Sequence, residues 1–167
     1  PVAADLNADG DLDVAVPLFD THELVILLGR GDGTFDVPWK TVVASIPRQL
    51  DVDDLDGDGM LDVLLRRDAP DVLEAWLGLG DGTFALGPAM PLDVETIELA
   101  RGDWNADGRR DVAVSVTAGT VRVRILAAQG DGSFVDAGSI QGRSSPGRHA
   151  GGDLNGNGKD DLVVSDA

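Results

Sequence analysis

Apolar positions fall in short runs rich in Val, Ile and Leu, separated about every ten residues by Gly, Asp, Asn and Pro. Runs of that length with turn residues between them predict β-strands. In the stretch from 49 to 97, Gln49 to Asp54 leads into an acidic loop and Leu61 to Arg66 follows it. Asp68-Ala-Pro-Asp turns the chain, Val72 to Leu77 forms a third strand, and Gly80-Asp-Gly turns into a fourth that begins at Thr83. Helix-period spacing with a cap is found nowhere, so no helix is predicted.

The same pattern recurs. Acidic loops begin at Asp5, Asp54, Asp103 and Asp153, at steps of 49, 49 and 50 residues, and Gly-Asp-Gly-Thr/Ser-Phe turns begin at Gly31, Gly80 and Gly130 with the same step. Two motifs sharing one period define three whole units and the opening of a fourth, with approximate boundaries 1–48, 49–97, 98–147 and 148–167. Four-stranded antiparallel units at this period are the signature of a β-propeller, each unit one blade, so residues 1–167 read as one propeller segment of about three and a half blades. Phe35, Phe84 and Phe134 hold the same place in successive units and are expected to pack between blades.

Each acidic loop follows D-x-[DN]-x-[DN]-G-x-x-D. Oxygen side chains at positions 1, 3 and 5 converge when the chain curls tightly, which the glycine at position 6 permits. Position 7 offers a backbone carbonyl, and the Asp at position 9 closes the cage from the first residue of the outgoing strand. The candidate metal ligands are Asp5, Asn7, Asp9, Asp11 and Asp13 in the first loop, and Asp54, Asp56, Asp58, Met60 and Asp62 in the second. The third offers Asp103, Asn105, Asp107, Arg109 and Asp111, and the fourth Asp153, Asn155, Asn157, Lys159 and Asp161. Hard oxygen donors in a flexible cage select Ca²⁺, up to four ions in all. Position 12 is Val16, Leu65, Val114 or Val164, where a helix-loop-helix calcium site needs a bidentate Glu. The plainer account of the same residues is that Asp, Asn and Gly favour tight turns with no ion bound.

Together, these loops and the Gly-Asp-Gly-x-Phe turns resemble FG-GAP/VCBS repeats, which build the calcium-binding propeller of integrin α-subunits and of many bacterial surface proteins. The resemblance implies a calcium-stabilised extracellular or cell-surface module for adhesion, ligand recognition or scaffolding, with structural Ca²⁺ and a protein or carbohydrate ligand. Family members usually have about seven blades, so this chain is expected to be a segment of a larger propeller or to close with other copies of itself. The second possibility gives an alternative function, a self-assembling subunit of a ring or filament. A third is the propeller part of a polysaccharide-active enzyme.

Composition narrows these choices. The chain has no Cys, no Tyr and only two histidines, His22 and His149, neither in a nucleophile or base arrangement and both expected at the surface or in a linker, so no enzyme is predicted. The apolar runs fall short of the ~20 residues of a membrane span, which predicts no membrane insertion. A net charge of −17 without a basic patch argues against nucleic acid. Twelve of the 30 acidic residues are candidate ligands through their carboxylates, leaving 18 against 13 basic ones, an ordinary surface balance. Arg30-Gly-Asp and Arg101-Gly-Asp spell an adhesion tripeptide that the repeat itself explains, and Ser139 to Gly151 is a mildly basic stretch expected to connect two blades.

Overall fold

The computed structural model describes residues 1–92, 96–116, 122–141 and 146–166. All regular elements among them are strands: β1 (Val2–Ala4), β2 (Asp13–Leu18), β3 (Glu23–Leu27), β4 (Trp39–Val42), β5 (Pro47–Asp53), β6 (Asp62–Arg67), β7 (Val72–Gly78), β8 (Phe84–Pro91), β9 (Thr96–Gly102), β10 (Asp111–Val116), β11 (Arg122–Ala128), β12 (Phe134–Gln141), β13 (Pro146–Gly152) and β14 (Asp161–Asp166). They pair in chain order into three four-stranded antiparallel sheets, β1 to β4, β5 to β8 and β9 to β12, and a two-stranded sheet of β13 and β14. Each four-stranded meander is a propeller blade. The chain divides into two compact units, Pro1–Pro91 with the first two blades and Leu92–Ala167 with the rest.

Strand sequence follows depth. Central β6 reads Asp-Val-Leu-Leu-Arg-Arg and is buried up to its last residue, with Val63, Leu64 and Leu65 between the buried Asp62 and Arg66. Edge strand β12, Phe-Val-Asp-Ala-Gly-Ser-Ile-Gln, is exposed after its first residue and carries the polar side chains an unpaired edge tolerates. Strands β5 and β13 begin at Pro47 and Pro146, two residues ahead of the unit boundaries read from the repeat. Residues 142–145 of the basic stretch lie outside the described residues. Its flanks are strand and not open connection, because Ser139–Gln141 end β12 and Pro146–Gly152 pair with β14.

In the first unit the core is shared between blades. Leu6, Ala15, Leu24, Ile26 and Val43 of the first meet Leu50, Val63, Leu65, Trp76 and Phe84 of the second. Trp39 sits against this cluster, edge-on to Trp76 at 6.2 Å between ring centroids and tilted to Phe84 at 5.6 Å, arrangements that suit aromatic quadrupoles. Phe84 is thus interblade core, 6% exposed. The expectation fails for Phe35, which is 44% exposed: Phe84 opens a strand, whereas Phe35 makes one isolated bridge to Gly29, short of β4. Phe134 is half-buried beneath the Arg101 guanidinium, 6.0 Å from its ring centroid.

In the second unit, the buried apolar residues include Leu92, Leu99, Val112, Val114, Val116, Val123 and Leu126. His149 is no linker residue. It lies in β13, and its Nε2 is 2.6 Å from the Oγ of fully buried Ser115, tying β13 to the preceding blade. A Cβ on Gly151 would stand 2.5 Å from the Arg101 carbonyl oxygen, so β13 approaches β9 at a distance that excludes a side chain.

Within each β1–β2-type loop the backbone turns left-handed twice. Position 6 is Gly10, Gly59, Gly108 or Gly158, at φ between +82° and +92°. Position 4 is also left-handed, and there the first and third loops place Ala8 (φ 60°) and Ala106 (φ 61°) where the others have Gly57 and Gly156. A left-handed Ala carries roughly 1–2 kcal/mol of steric strain, partly offset by its lower unfolded-state entropy. Ala8→Gly or Ala106→Gly is therefore expected to stabilise the protein by up to about 1 kcal/mol, read as a raised melting temperature. A fall in melting temperature would contradict the strain argument. A Cβ on Gly78, the last residue of β7, would stand 2.3 Å from the Leu61 carbonyl oxygen. Gly78→Ala should therefore cost about 1–3 kcal/mol in denaturant melts, and an unchanged midpoint would show that the strands separate freely.

Candidate metal centre

Backbone amides, not side-chain salt bridges, shape the four acidic loops. At position 1, one carboxylate oxygen of Asp5, Asp54, Asp103 and Asp153 accepts the N–H of the position-6 glycine, at 2.9, 3.0, 2.9 and 2.8 Å. At position 3, Asn7, Asp56, Asn105 and Asn155 accept the position-5 amide at 3.2, 3.1, 2.8 and 3.0 Å. At position 5, Asp9, Asp58, Asp107 and Asn157 accept the position-7 amide at 2.8, 2.8, 2.9 and 2.8 Å. Such short-range bonds from Asp and Asn to the backbone two to five residues on are what curl the chain. These amides also hold Asp9, Asp107 and Asp153 below the usual carboxylate range, so all three are ionised at neutral pH.

Position 9 opens the outgoing strand, as Asp13, Asp62, Asp111 and Asp161 begin β2, β6, β10 and β14. The first three are fully buried. Asp62 Oδ2 accepts the Leu55 amide and Oδ1 the Gly78 amide, both at 2.7 Å; Asp13 does the same with Leu6 and Gly29 at 2.7 and 2.8 Å. Asp111 accepts from Ala128 at 3.0 Å and from the Trp104 amide. One carboxylate thereby holds the loop, the second strand and the end of the third. Each oxygen retains a second lone pair for another partner. Burial pushes the carboxyls of Asp62 and Asp111 up, and the loop carboxylates Asp56 and Asp58, or Asp107 and Asp103, push them further.

The loops differ in what fills their mouths. In the first and third, the position-3 Asn donates its amide to the position-5 carboxylate, Asn7 to Asp9 at 2.8 Å and Asn105 to Asp107 at 3.1 Å. In the fourth, Asn155 turns its amide to both oxygens of Asp161, at 3.2 and 3.0 Å. The second has no such donor, and Asp54, Asp56 and Asp58 each present a carboxylate oxygen within 4.8 Å of the others. Two unit charges ~4 Å apart repel by about 1 kcal/mol in water and about 4 kcal/mol at an effective dielectric near 20. An all-oxygen donor set under that repulsion fits a hard divalent cation.

At position 7 the side chains lie against the Gly-Asp-Gly turn of the same blade. A Cβ on Gly31, Gly80 or Gly130 would collide with Asp11, Met60 or Arg109 at 2.5, 3.0 and 2.5 Å, so the small first residue of the turn makes room for the loop. Arg109 also sets its guanidinium 3.6 Å from Asp107, giving the third loop an internal cation that the first lacks. In the turns themselves, Asp32 and Asp81 accept from the backbone and hydroxyl of the Thr two residues on, at 2.9 and 2.6 Å and at 2.9 and 2.5 Å, and Asp131 accepts likewise from Ser133. Neither Arg-Gly-Asp presents a free guanidinium, because Arg30 pairs with Asp36 and Arg101 is buried, donating to the Arg110 carbonyl at 2.8 Å.

The loop pattern assigns no role to position 8, yet Asp160 makes two contacts there. Its carboxylate accepts the Asp103 amide at 2.9 Å and its own amide donates to the Asp103 carbonyl at 3.1 Å. The one signal for it in the sequence is an acidic residue where the first two loops have Leu12 and Leu61.

A comparison with curated proteins finds no match. The FG-GAP-like repeat model matches residues 5–65 and 103–164. Each match starts at the position-1 Asp of one loop and runs through the next loop into the strand behind its position-9 Asp, so it takes in the period and the amide-bonded cages described above. Because the two matches cover well over half of the sequence, this chain belongs to the FG-GAP-like repeat family.

Proposed function

We propose that the protein is a calcium-stabilised extracellular β-propeller module, non-enzymatic, in which structural Ca²⁺ ions fix the blade loops that support a protein- or carbohydrate-recognition surface. The observation that carries this reading is the convergence of Asp54, Asp56 and Asp58. Turn formation does not require the charge of Asp56 or Asp58. The fourth loop makes the same position-3 and position-5 hydrogen bonds with Asn155 and Asn157. Three converging carboxylates, two of them where neutral amides suffice, are destabilising unless a cation joins them.

The expected ligands are the side-chain oxygens at positions 1, 3, 5 and 9 with the position-7 carbonyl. A bound ion supplies the positive charge that brings these oxygens together, and the residues themselves hold the turn and anchor it to the second and third strands. Extracellular calcium is millimolar, which suits sites of moderate affinity. Family membership adds support, since FG-GAP repeats occur in adhesion-type propellers. Among the described residues no helix is long and apolar enough to cross a membrane.

If each site binds at ~10 μM, ~1 mM calcium adds about 2.7 kcal/mol per site. Calorimetric melting in 1 mM calcium and in excess chelator is expected to show a large loss of melting temperature without the ion, and superimposable melts would overturn the structural role. Donor charge ranks the loops: the second has four carboxylates, the first and third three each, and the fourth two. Arg109 beside Asp107 places the third below the first. Titration calorimetry of variants that each keep one intact loop should give affinities falling in the order second, first, third, fourth; four equal affinities would rule out charge as the determinant.

A further inference from the structure

The third and fourth loops are joined through one residue. Asp103 provides the position-1 carboxylate of the third loop, which accepts the Asp107 and Gly108 amides at 3.1 and 2.9 Å. The backbone of that same residue is clamped on both sides by Asp160, at 2.9 Å through the carboxylate and 3.1 Å through the amide. Asp160 stands between two members of the fourth cage. On one side, Lys159 donates its amide to Asn157 Oδ1 at 2.8 Å; on the other, Asp161 accepts the Leu154 amide at 3.1 Å. Residues 57 apart in sequence, each flanked by a cage of its own, therefore share a two-bond clamp.

The other loops differ at this position. Leu12 and Leu61 carry no acceptor, Leu61 packs on the apolar core of the first unit, and Arg110 offers a cation. The clamp thus belongs to the fourth loop acting on the third. Ordering either loop fixes one end of the clamp and lowers the conformational cost of ordering the other, and such a coupling is reciprocal.

We propose that Asp160 is a positioning residue that couples the third and fourth loops, so that a divalent cation bound in one strengthens binding in the other. This deepens the calcium reading above and rests on it. The fourth loop, poorest in charge, then fills together with the third and more tightly than its two carboxylates alone dictate.

Trp104 gives a local readout, since it occupies position 2 of the third loop where the other three have Leu6, Leu55 and Leu154. Terbium(III) emission sensitised by Trp104 in the full chain, with calcium as competitor, reports third-loop affinity, and Trp104→Leu supplies the background. Disabling the fourth loop with Asp153→Ala, or more mildly with Asn157→Ala, is expected to weaken third-loop binding about fivefold, the lower end of typical couplings. Asp160→Leu should weaken it similarly and, combined with either lesion, give no further loss. Asp160→Asn, which keeps an acceptor oxygen but loses the charge, should retain the coupling. Third-loop affinity untouched by both fourth-loop lesions, or losses that multiply in the Asp160→Leu background, would overturn the coupling while leaving calcium binding intact. A wild-type chain that binds neither ion would instead bring down the calcium reading, and the coupling with it.

Discussion

The fold of the first three blades hangs on a carboxylate that is out of water and held by backbone amides. Asp13, Asp62 and Asp111 are buried at the first position of a central strand, and each accepts amides from the loop before it and from the end of the third strand. A buried ionised group is costly unless hydrogen bonds compensate it, and here they come from backbone donors that would otherwise lack partners. The arrangement fixes the distance between loop and Gly-Asp-Gly turn. That distance in turn explains why Gly29 and Gly78 have no room for a Cβ, which would stand 2.2 and 2.3 Å from the Leu12 and Leu61 carbonyl oxygens. In the third blade Ala128 occupies this place, and its bond to the carboxylate is longer, 3.0 Å against 2.7 Å at Gly78.

From this anchor the blade is assembled by contacts between its two motifs. Position-7 side chains rest on the first glycine of the turn, and the turn Asp folds back on its own Thr or Ser. The loop and the turn share a period because they touch. The apolar strands between them then bury against the next blade, where the Trp39, Trp76 and Phe84 rings interlock. Aromatic packing of that kind contributes about 0.5–1.5 kcal/mol per pair beyond area burial.

Much of this was legible in the sequence, and the remainder was hidden for identifiable reasons. Strand positions in the second blade fall within about two residues of those read from turn signals, since each strand ends where Gly, Asp or Pro stops the ladder. The position-9 Asp was visible as the residue before an apolar run, and the structure places it at the head of the strand. Burial of the motif Phe was not legible, because Phe35 and Phe84 share a motif but not a neighbourhood: one opens a strand facing Trp39 and the other sits in a bridge ahead of a strand. Left-handed Ala8 and Ala106 were concealed by a pattern that leaves position 4 unspecified. Asp160 was concealed because its partner is 57 residues away, beyond any local rule.

The loops also separate shape from charge. Positions 3 and 5 accept the same amides whether they hold Asp or Asn, since each bond needs one acceptor oxygen. The carboxylate count can therefore run from four to two while the backbone stays constant. Position 9 has no such freedom. Donors approach both oxygens of Asp13 and Asp62, two backbone amides bond to Asp111, and at Asp161 the Leu154 amide and the Asn155 side chain reach both oxygens. An Asn there would turn an NH₂ toward a donor and leave a buried N–H without an acceptor, a loss of about 1–3 kcal/mol. The Asp found at position 9 of the first three loops is thus required by hydrogen bonding, whereas Asp at positions 3 and 5 is optional for the turn. The second loop, where position 3 is Asp56 and position 5 is Asp58, carries the most charge beyond what the turn uses, and that charge converges with Asp54.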